Sequence, residues 1–161
     1  MKLSGREKFW VAARILVGFV VAYAGFSKLT EPSANFEAAL LRYGVFSPAL
    51  IPILAKTVPW FEWIFGSFLM LGYAPRFSAV IVTSLYLGFL VALSSSQIFL
   101  AAGNTDCGCF GSSGWLHLSV RQIFIVDLAG FLLAAGLARQ PIFPWSLHGF
   151  LVKQNRAEDD K

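Results

Sequence analysis

The two cysteines of the chain, Cys107 and Cys109, are separated by a single glycine, Gly108. Residues two positions apart can bring their Cα atoms to about 5.5–7 Å, the upper edge of the range for a disulfide, and glycine allows the intervening backbone to bend. A disulfide in so small a ring is strained, and strained disulfides are the readily reduced, catalytic ones. Because disulfide stabilisation grows with loop length, the spacing predicts a redox role rather than a structural one.

Two other interpretations of this pair remain open. The thiols could be inert or structural, or Asp106 and His117 could complete a metal site with them, although the spacing matches no familiar set of ligands. The favoured hypothesis is thiol–disulfide exchange without a metal, in which a thiolate attacks and a mixed disulfide forms. Which of the two cysteines attacks stays open.

Four ionisable residues form a second chemical feature, because each lies within or at the end of a long apolar segment: Lys28, Glu62, Arg121 and Asp127. Charges inside a membrane are costly and by default indicate function or pairing, and two acids with two bases allow neutral pairing. These four residues are here called the polar cluster, and we predict that its two acids, Glu62 and Asp127, lie beneath the cysteine loop and matter beyond folding. Alternatively, the bases only extend to the lipid headgroups and the acids are their structural partners.

The composition indicates that a membrane protein positions these residues. Of 161 residues, 57% are hydrophobic and only 14% are charged, and the mean hydropathy is +0.65, whereas a soluble domain has about a quarter charged residues. Disordered, collagen-like and coiled-coil chains are excluded by so apolar a composition. The net charge of +4 does not indicate nucleic-acid binding, because the basic residues form no dense block. The expected partner is the lipid bilayer.

Four apolar segments are each about as long as a membrane-spanning helix. We predict an all-α transmembrane four-helix bundle, a single domain over residues 1–161, with spans at about 9–29, 48–73, 77–101 and 120–138. A cleavable signal peptide is the alternative for the first segment, although Arg14 interrupts its apolar core. After that span, Phe36, Leu40 and Tyr43 recur at helical spacing, which predicts a short helix in the membrane interface.

The distribution of basic residues predicts the orientation. An even number of spans places both termini on one side, and nine of the 13 basic residues would lie on that side against four on the other. The positive-inside rule then predicts cytoplasmic termini, including a tail at 139–161. The cysteine loop, residues 102–119, would face the periplasm or cell exterior, where disulfides persist. We therefore expect a multi-pass protein of the bacterial inner membrane.

Several motifs occur in order along residues 10–140. They are Arg14, Gly25-Phe26-Ser27-Lys28-Leu29, Tyr43-Gly44, Pro59-Trp60-Phe61-Glu62, Gly72 and Asp106-Cys107-Gly108-Cys109-Phe110-Gly111. With these motifs the chain resembles the MauE/DoxX-like family of small four-span membrane proteins. The cysteine motif is the most specific of them and favours the MauE branch, because general DoxX-like proteins lack it.

The resemblance implies a role in periplasmic thiol–disulfide chemistry. The MauE branch is associated with maturation of methylamine dehydrogenase, whose small subunit is rich in disulfides, alongside a thioredoxin-like partner, MauD. We therefore expect electron exchange with a periplasmic thioredoxin-like protein in support of a client enzyme. Cys107 and Cys109 would be the catalytic pair, and the supporting loop residues would be Asp106, Gly108, Phe110 and Gly111.

Two further expectations concern the membrane. By analogy with other membrane thiol oxidoreductases, a quinone near the polar cluster would be the electron sink. The alternative from another functional class is a non-catalytic scaffold or assembly subunit that holds a partner enzyme at the membrane. A small transporter is disfavoured, because the sequence shows no repeated half with broken helices.

Overall fold

The computed structural model describes residues 4–95 and 120–140, which are helical apart from short connections. The helices are α1 (Gly5–Thr30), α2 (Ser33–Tyr43), α3 (Ile51–Leu71), α4 (Pro75–Ser95) and α5 (Val120–Ala138). Neither of these two ranges contains a β-strand. The predicted all-α fold is confirmed for this part of the chain.

Two of the described helices, α1 and α4, are long and apolar enough to cross a membrane. α1 has 26 residues, or about 39 Å of helix. It begins at a capping box in which the Ser4 hydroxyl accepts a hydrogen bond from the Glu7 N–H, and the Glu7 carboxylate accepts one from the Ser4 N–H. α5 carries a shorter apolar stretch, Gln122–Ala138. That α3 and α5 also cross the membrane and complete a four-span bundle stays a prediction.

The helix ends differ from the predicted ends where turns, proline and glycine set them. α3 begins at Ile51 rather than residue 48, because the Leu50 N–H donates to the Ser47 carbonyl (2.9 Å) in a turn that precedes the helix. It ends before Gly72, whose φ of 73° suits a residue without Cβ. α4 begins at Pro75 rather than residue 77, since proline is tolerated in a first helical turn. Residues 96–101 of the predicted third span lie outside the described residues.

The predicted short helix after the first span is α2. Its stripe of Phe36, Leu40 and Tyr43 is buried, and these side chains belong to one cluster with Ile51 of α3 and Leu93 of α4. The apolar face of α2 therefore packs against protein rather than lipid headgroups. Whether its other face lies in the membrane interface stays a prediction.

α1 and α3 make the most extensive helix contact in the described structure, and glycines allow it. A Cβ atom on Gly18 would lie 2.6 Å from the backbone nitrogen of Met70, and one on Gly66 would lie 2.5 Å from the backbone nitrogen of Ala22. Any larger side chain at either position would separate the two helices. Such close packing of small residues is a main source of helix association in membranes.

Two hydrophobic clusters occupy different levels of the bundle. One joins α2 to the start of α3, the end of α4 and the start of α5, and consists of Phe36, Ala39, Leu40, Tyr43, Ile51, Ala55, Leu93 and Ile123. The other joins α1, α3, α4 and α5, and consists of Val17, Val21, Leu69, Ala79, Val82, Tyr86, Ala134 and Leu137. The buried acidic and basic residues described next lie between these two clusters.

Candidate functional site

Lys28 and Glu62 form a buried ion pair between α1 and α3. The Lys28 Nζ atom lies 2.8 Å from both carboxylate oxygens of Glu62, and the two side chains are only 3% and 4% exposed. Two charge-assisted hydrogen bonds to one carboxylate are a strong arrangement. The pair is electrically neutral, which is how a buried charge is normally compensated.

Close approach of the α1 and α3 backbones beside the ion pair holds the charges of Lys28 and Glu62 together. Gly25 lies one turn before Lys28, and a Cβ atom there would lie 2.5 Å from the Trp63 backbone nitrogen and 2.7 Å from the Pro59 carbonyl oxygen. The same Cβ would lie 2.8 Å from Cβ of Glu62. The absence of a side chain at Gly25 therefore allows α1 to approach α3 where the ion pair forms.

Two aromatic rings flank the Lys28 ammonium. Its Nζ atom lies 5.2 Å from the ring centroid of Phe36 on α2 and 5.3 Å from that of Phe89 on α4. Both distances are within the range of a cation–π interaction, which strengthens when the cation is desolvated. Three groups from three helices therefore surround the ammonium that α1 carries: the carboxylate from α3 and the two rings from α2 and α4.

A cavity of about 40 Å³ lies beside the ion pair, between α1, α3, α4 and α5. Its lining includes Lys28, Glu62, Tyr86, Phe89 and Asp127, and the rest is aliphatic. Such a volume has room for a few water molecules, and the polar groups needed to bind them are present. The site is therefore a small, partly polar chamber within an apolar bundle.

Asp127 and Tyr86 face each other across α4 and α5. A Cβ atom on Gly130, one turn after Asp127, would lie 2.7 Å from the Tyr86 hydroxyl oxygen, so this hydroxyl lies against α5 close to the acid. Asp127 makes no hydrogen bond or ion pair with any residue in ranges 4–94 and 122–140. Its carboxylate differs in this respect from that of Glu62.

The structure brings together three residues of the predicted polar cluster, because Lys28, Glu62 and Asp127 line one cavity. Arg121 lies in the first turn of α5, six residues before Asp127, and its predicted role stays a prediction. The catalytic pair and its supporting loop lie outside the described residues: Asp106, Cys107, Gly108, Cys109, Phe110 and Gly111. Their place above the cavity is therefore also a prediction.

Sequence reasoning missed several residues of this site. Tyr86 and Phe89 are three residues apart on α4, which places them on one helix face, but an apolar span gives no sign of which face meets a charge. Phe36 was assigned only to an apolar stripe. Arg14, which interrupts the first apolar segment, is 4% exposed on the buried face of α1.

The cavity is small for a quinone ring. A cavity of about 150 Å³ accommodates benzene, whereas the chamber beside Lys28 has about 40 Å³. Its polar lining suits water and protons, and a quinone near the polar cluster stays a prediction.

Comparison with known families supports the relationship that the motifs indicated. The profile of the family described as "Methylamine utilisation protein MauE" matches residues 6–151, which is nearly the whole chain. Searches among curated proteins and among solved structures found no match. The matched range includes α1 to α5 and the Cys107–Cys109 segment, and together with the two apolar helices it indicates a membrane protein. The chain therefore belongs to the MauE family.

Proposed function

We propose that this protein is a thiol–disulfide exchange protein of the bacterial inner membrane, with four spans, cytoplasmic termini and an external cysteine loop. Its partner is a periplasmic thioredoxin-like protein, and the exchange supports maturation of an exported enzyme. The family's description points to methylamine utilisation as the physiological setting. The observation that carries the proposal is the Cys107-Gly108-Cys109 pair in a chain of this family.

The chemistry requires only the two cysteines and a partner with two more. A thiolate of the reduced protein attacks one sulfur of the other's disulfide, which forms a mixed disulfide and releases the second sulfur as a thiolate. The second cysteine of the reduced protein then attacks the sulfur of its own first cysteine in the mixed disulfide, which closes a disulfide in that protein and releases the remaining sulfur of the other protein as a thiolate. One disulfide is formed and one is broken, and two electrons and two protons pass between the partners. The direction depends on the two reduction potentials.

Strain supports this role over a structural one. The ring that a Cys107–Cys109 disulfide closes has one intervening residue. So small a ring removes little conformational entropy from the unfolded chain, and the disulfide therefore stabilises the fold little. A strained disulfide has a more oxidising potential, which favours donation of that disulfide to a reduced partner. The pair is therefore suited to turnover.

Trapping of the mixed disulfide tests the proposal. We expect C107S or C109S, each lacking one thiol, to accumulate an adduct with the thioredoxin-like partner, visible on non-reducing electrophoresis and lost on reduction. C107S/C109S should insert at the parent level, since neither residue lies in a predicted span, but form no adduct and support no exchange.

A scaffold would behave differently. If neither single variant traps a partner and C107S/C109S still supports oxidation or reduction of the client, the cysteines are not catalytic. The protein would then be the non-catalytic assembly subunit. Alkylation of the parent under changed electron supply gives the same distinction, because the cysteines of a scaffold would stay in one redox state.

A further inference from the structure

The charges around the cavity do not balance within the described residues. One ammonium, that of Lys28, and two carboxylates, those of Glu62 and Asp127, line it. Lys28 already contacts both oxygens of Glu62, so its positive charge is compensated. Asp127 on α5 is left without a hydrogen bond or ion pair to any residue in ranges 4–94 and 122–140.

The other titratable groups that face Asp127 carry no compensating charge. Tyr86 on α4 lines the same cavity. Tyr43 on α2 is close enough to respond to it: burial raises the pKa of the Tyr43 phenol, and the negative charge of Asp127 raises it further. Both phenols are neutral hydrogen-bond donors or acceptors at ordinary pH. Around Asp127 the surroundings are therefore polar enough for water, and the side chains of residues 4–94 and 122–140 offer no second cation in the cavity lining.

We propose that this cavity is a proton-binding site, in which Asp127 reversibly binds one proton delivered by cavity water. The Lys28–Glu62 ion pair lines the same cavity, keeps both of its charges and stays neutral overall. A hydronium ion transfers its proton to the Asp127 carboxylate and leaves a water molecule, with no electron transfer. The protonated acid is neutral and can donate a hydrogen bond to cavity water. The site takes the proton whether or not the cysteines are catalytic.

The geometry assigns different roles to the two acids. Glu62 accepts two hydrogen bonds from one ammonium beneath two aromatic rings, so its charge is held in place and a proton would displace a strong interaction. Asp127 has neither the hydrogen bonds nor the ion pair that would hold its charge. Asp127 is half-buried, and proton uptake relieves the cost of an uncompensated charge in mostly apolar surroundings. Proton exchange therefore belongs to Asp127.

Infrared spectroscopy of the full chain in lipid nanodiscs tests the site directly. We expect a carboxylic-acid C=O band that disappears as the buffer is changed from mildly acidic to mildly alkaline and shifts after exchange into D₂O. D127N should lose this band. E37Q, which removes a carboxylate of α2 that does not line the cavity, should retain it.

Further variants keep the test decisive if D127N folds poorly. D127E retains an acid at the position, so it should retain the band with an altered pH dependence. E62Q should not remove it. The proposal is overturned if the parent shows no such band in mildly acidic buffer, if the band survives in folded D127N, or if E62Q rather than D127N removes it.

Discussion

Lys28 and Glu62 place opposite charges within 2.8 Å of each other at nearly complete burial. Removing one partner of such a pair leaves the other charge without compensation, whereas removing both leaves an apolar contact. The two aromatic rings beside Lys28 cannot replace the carboxylate, because a cation–π interaction is worth about 2 kcal/mol even when desolvated. At the scale of residues, the pair should therefore behave as one unit.

This coupling gives a prediction for single and double variants. Glu62→Leu should destabilise the protein by about 3–5 kcal/mol, the usual result of leaving a buried charge unpaired. Lys28→Met/Glu62→Leu should recover most of that loss. Unfolding of the purified proteins in lipid micelles measures both. Lys56→Met, at an exposed position of α3, should be neutral. Additive losses in the double variant would mean that the ion pair is not a unit.

The close contact between helices α1 and α3 depends on glycines, which carry no side chain. Gly18, Gly25 and Gly66 each approach backbone of the opposite helix to within 2.6 Å of where a Cβ would stand. Pro59, buried inside α3, contributes the carbonyl oxygen that Gly25 faces. The small residues therefore decide how closely α1 and α3 pack, and with that the length of the Lys28–Glu62 contact.

A pair of glycine variants tests this at the scale of elements. Gly25→Ala should lower stability by about 1–3 kcal/mol, because its Cβ would meet backbone atoms that cannot move independently. Gly88→Ala is the matched control, since a Cβ there has nothing within 4 Å. That variant should be neutral or stabilising by up to about 1 kcal/mol, because alanine has the higher helix propensity. Thermal unfolding compares the two, and equal effects would contradict close packing at Gly25.

For the whole molecule, the predicted orientation rests on the distribution of nine and four basic residues between the two sides. The structure gives the bounds of the helices, whereas the side of the membrane that each helix end faces is predicted from the flanking basic residues. The cavity lies along the second half of α1 and near the middle of α3, α4 and α5. If the orientation holds, its Lys28 end is the end nearer to the outer side, where the cysteine loop is predicted.

Labelling of intact cells tests this orientation. A thiol reagent that cannot cross membranes should modify the reduced parent from outside. In a C107S/C109S background, Ser4→Cys at the amino end of α1 should be modified only after the cells are permeabilised. Reversed accessibility of the two proteins would place the cysteine loop in the cytoplasm and remove the basis for a periplasmic partner.

The sequence by itself determined the helical class and pointed to the three charged residues that line the cavity. Apolar segments of about 20 residues, the Phe36–Leu40–Tyr43 spacing and isolated charges in apolar surroundings are local signals, because helix periodicity and hydropathy are properties of a short stretch of chain. They predicted α1, α2 and α5 closely, and they predicted that Lys28, Glu62 and Asp127 matter together.

Only the tertiary structure decided which partners those charges have. Two acids and two bases allow several pairings, and the choice of Glu62 for Lys28 depends on how closely Gly25 lets α1 approach Pro59 of α3. The roles of Phe36 and Phe89 likewise require knowing which faces of α2 and α4 meet the end of α1. The small volume of the cavity depends on how side chains from four helices pack around it. Contacts between distant segments carry no local periodicity, so the sequence alone could not specify them.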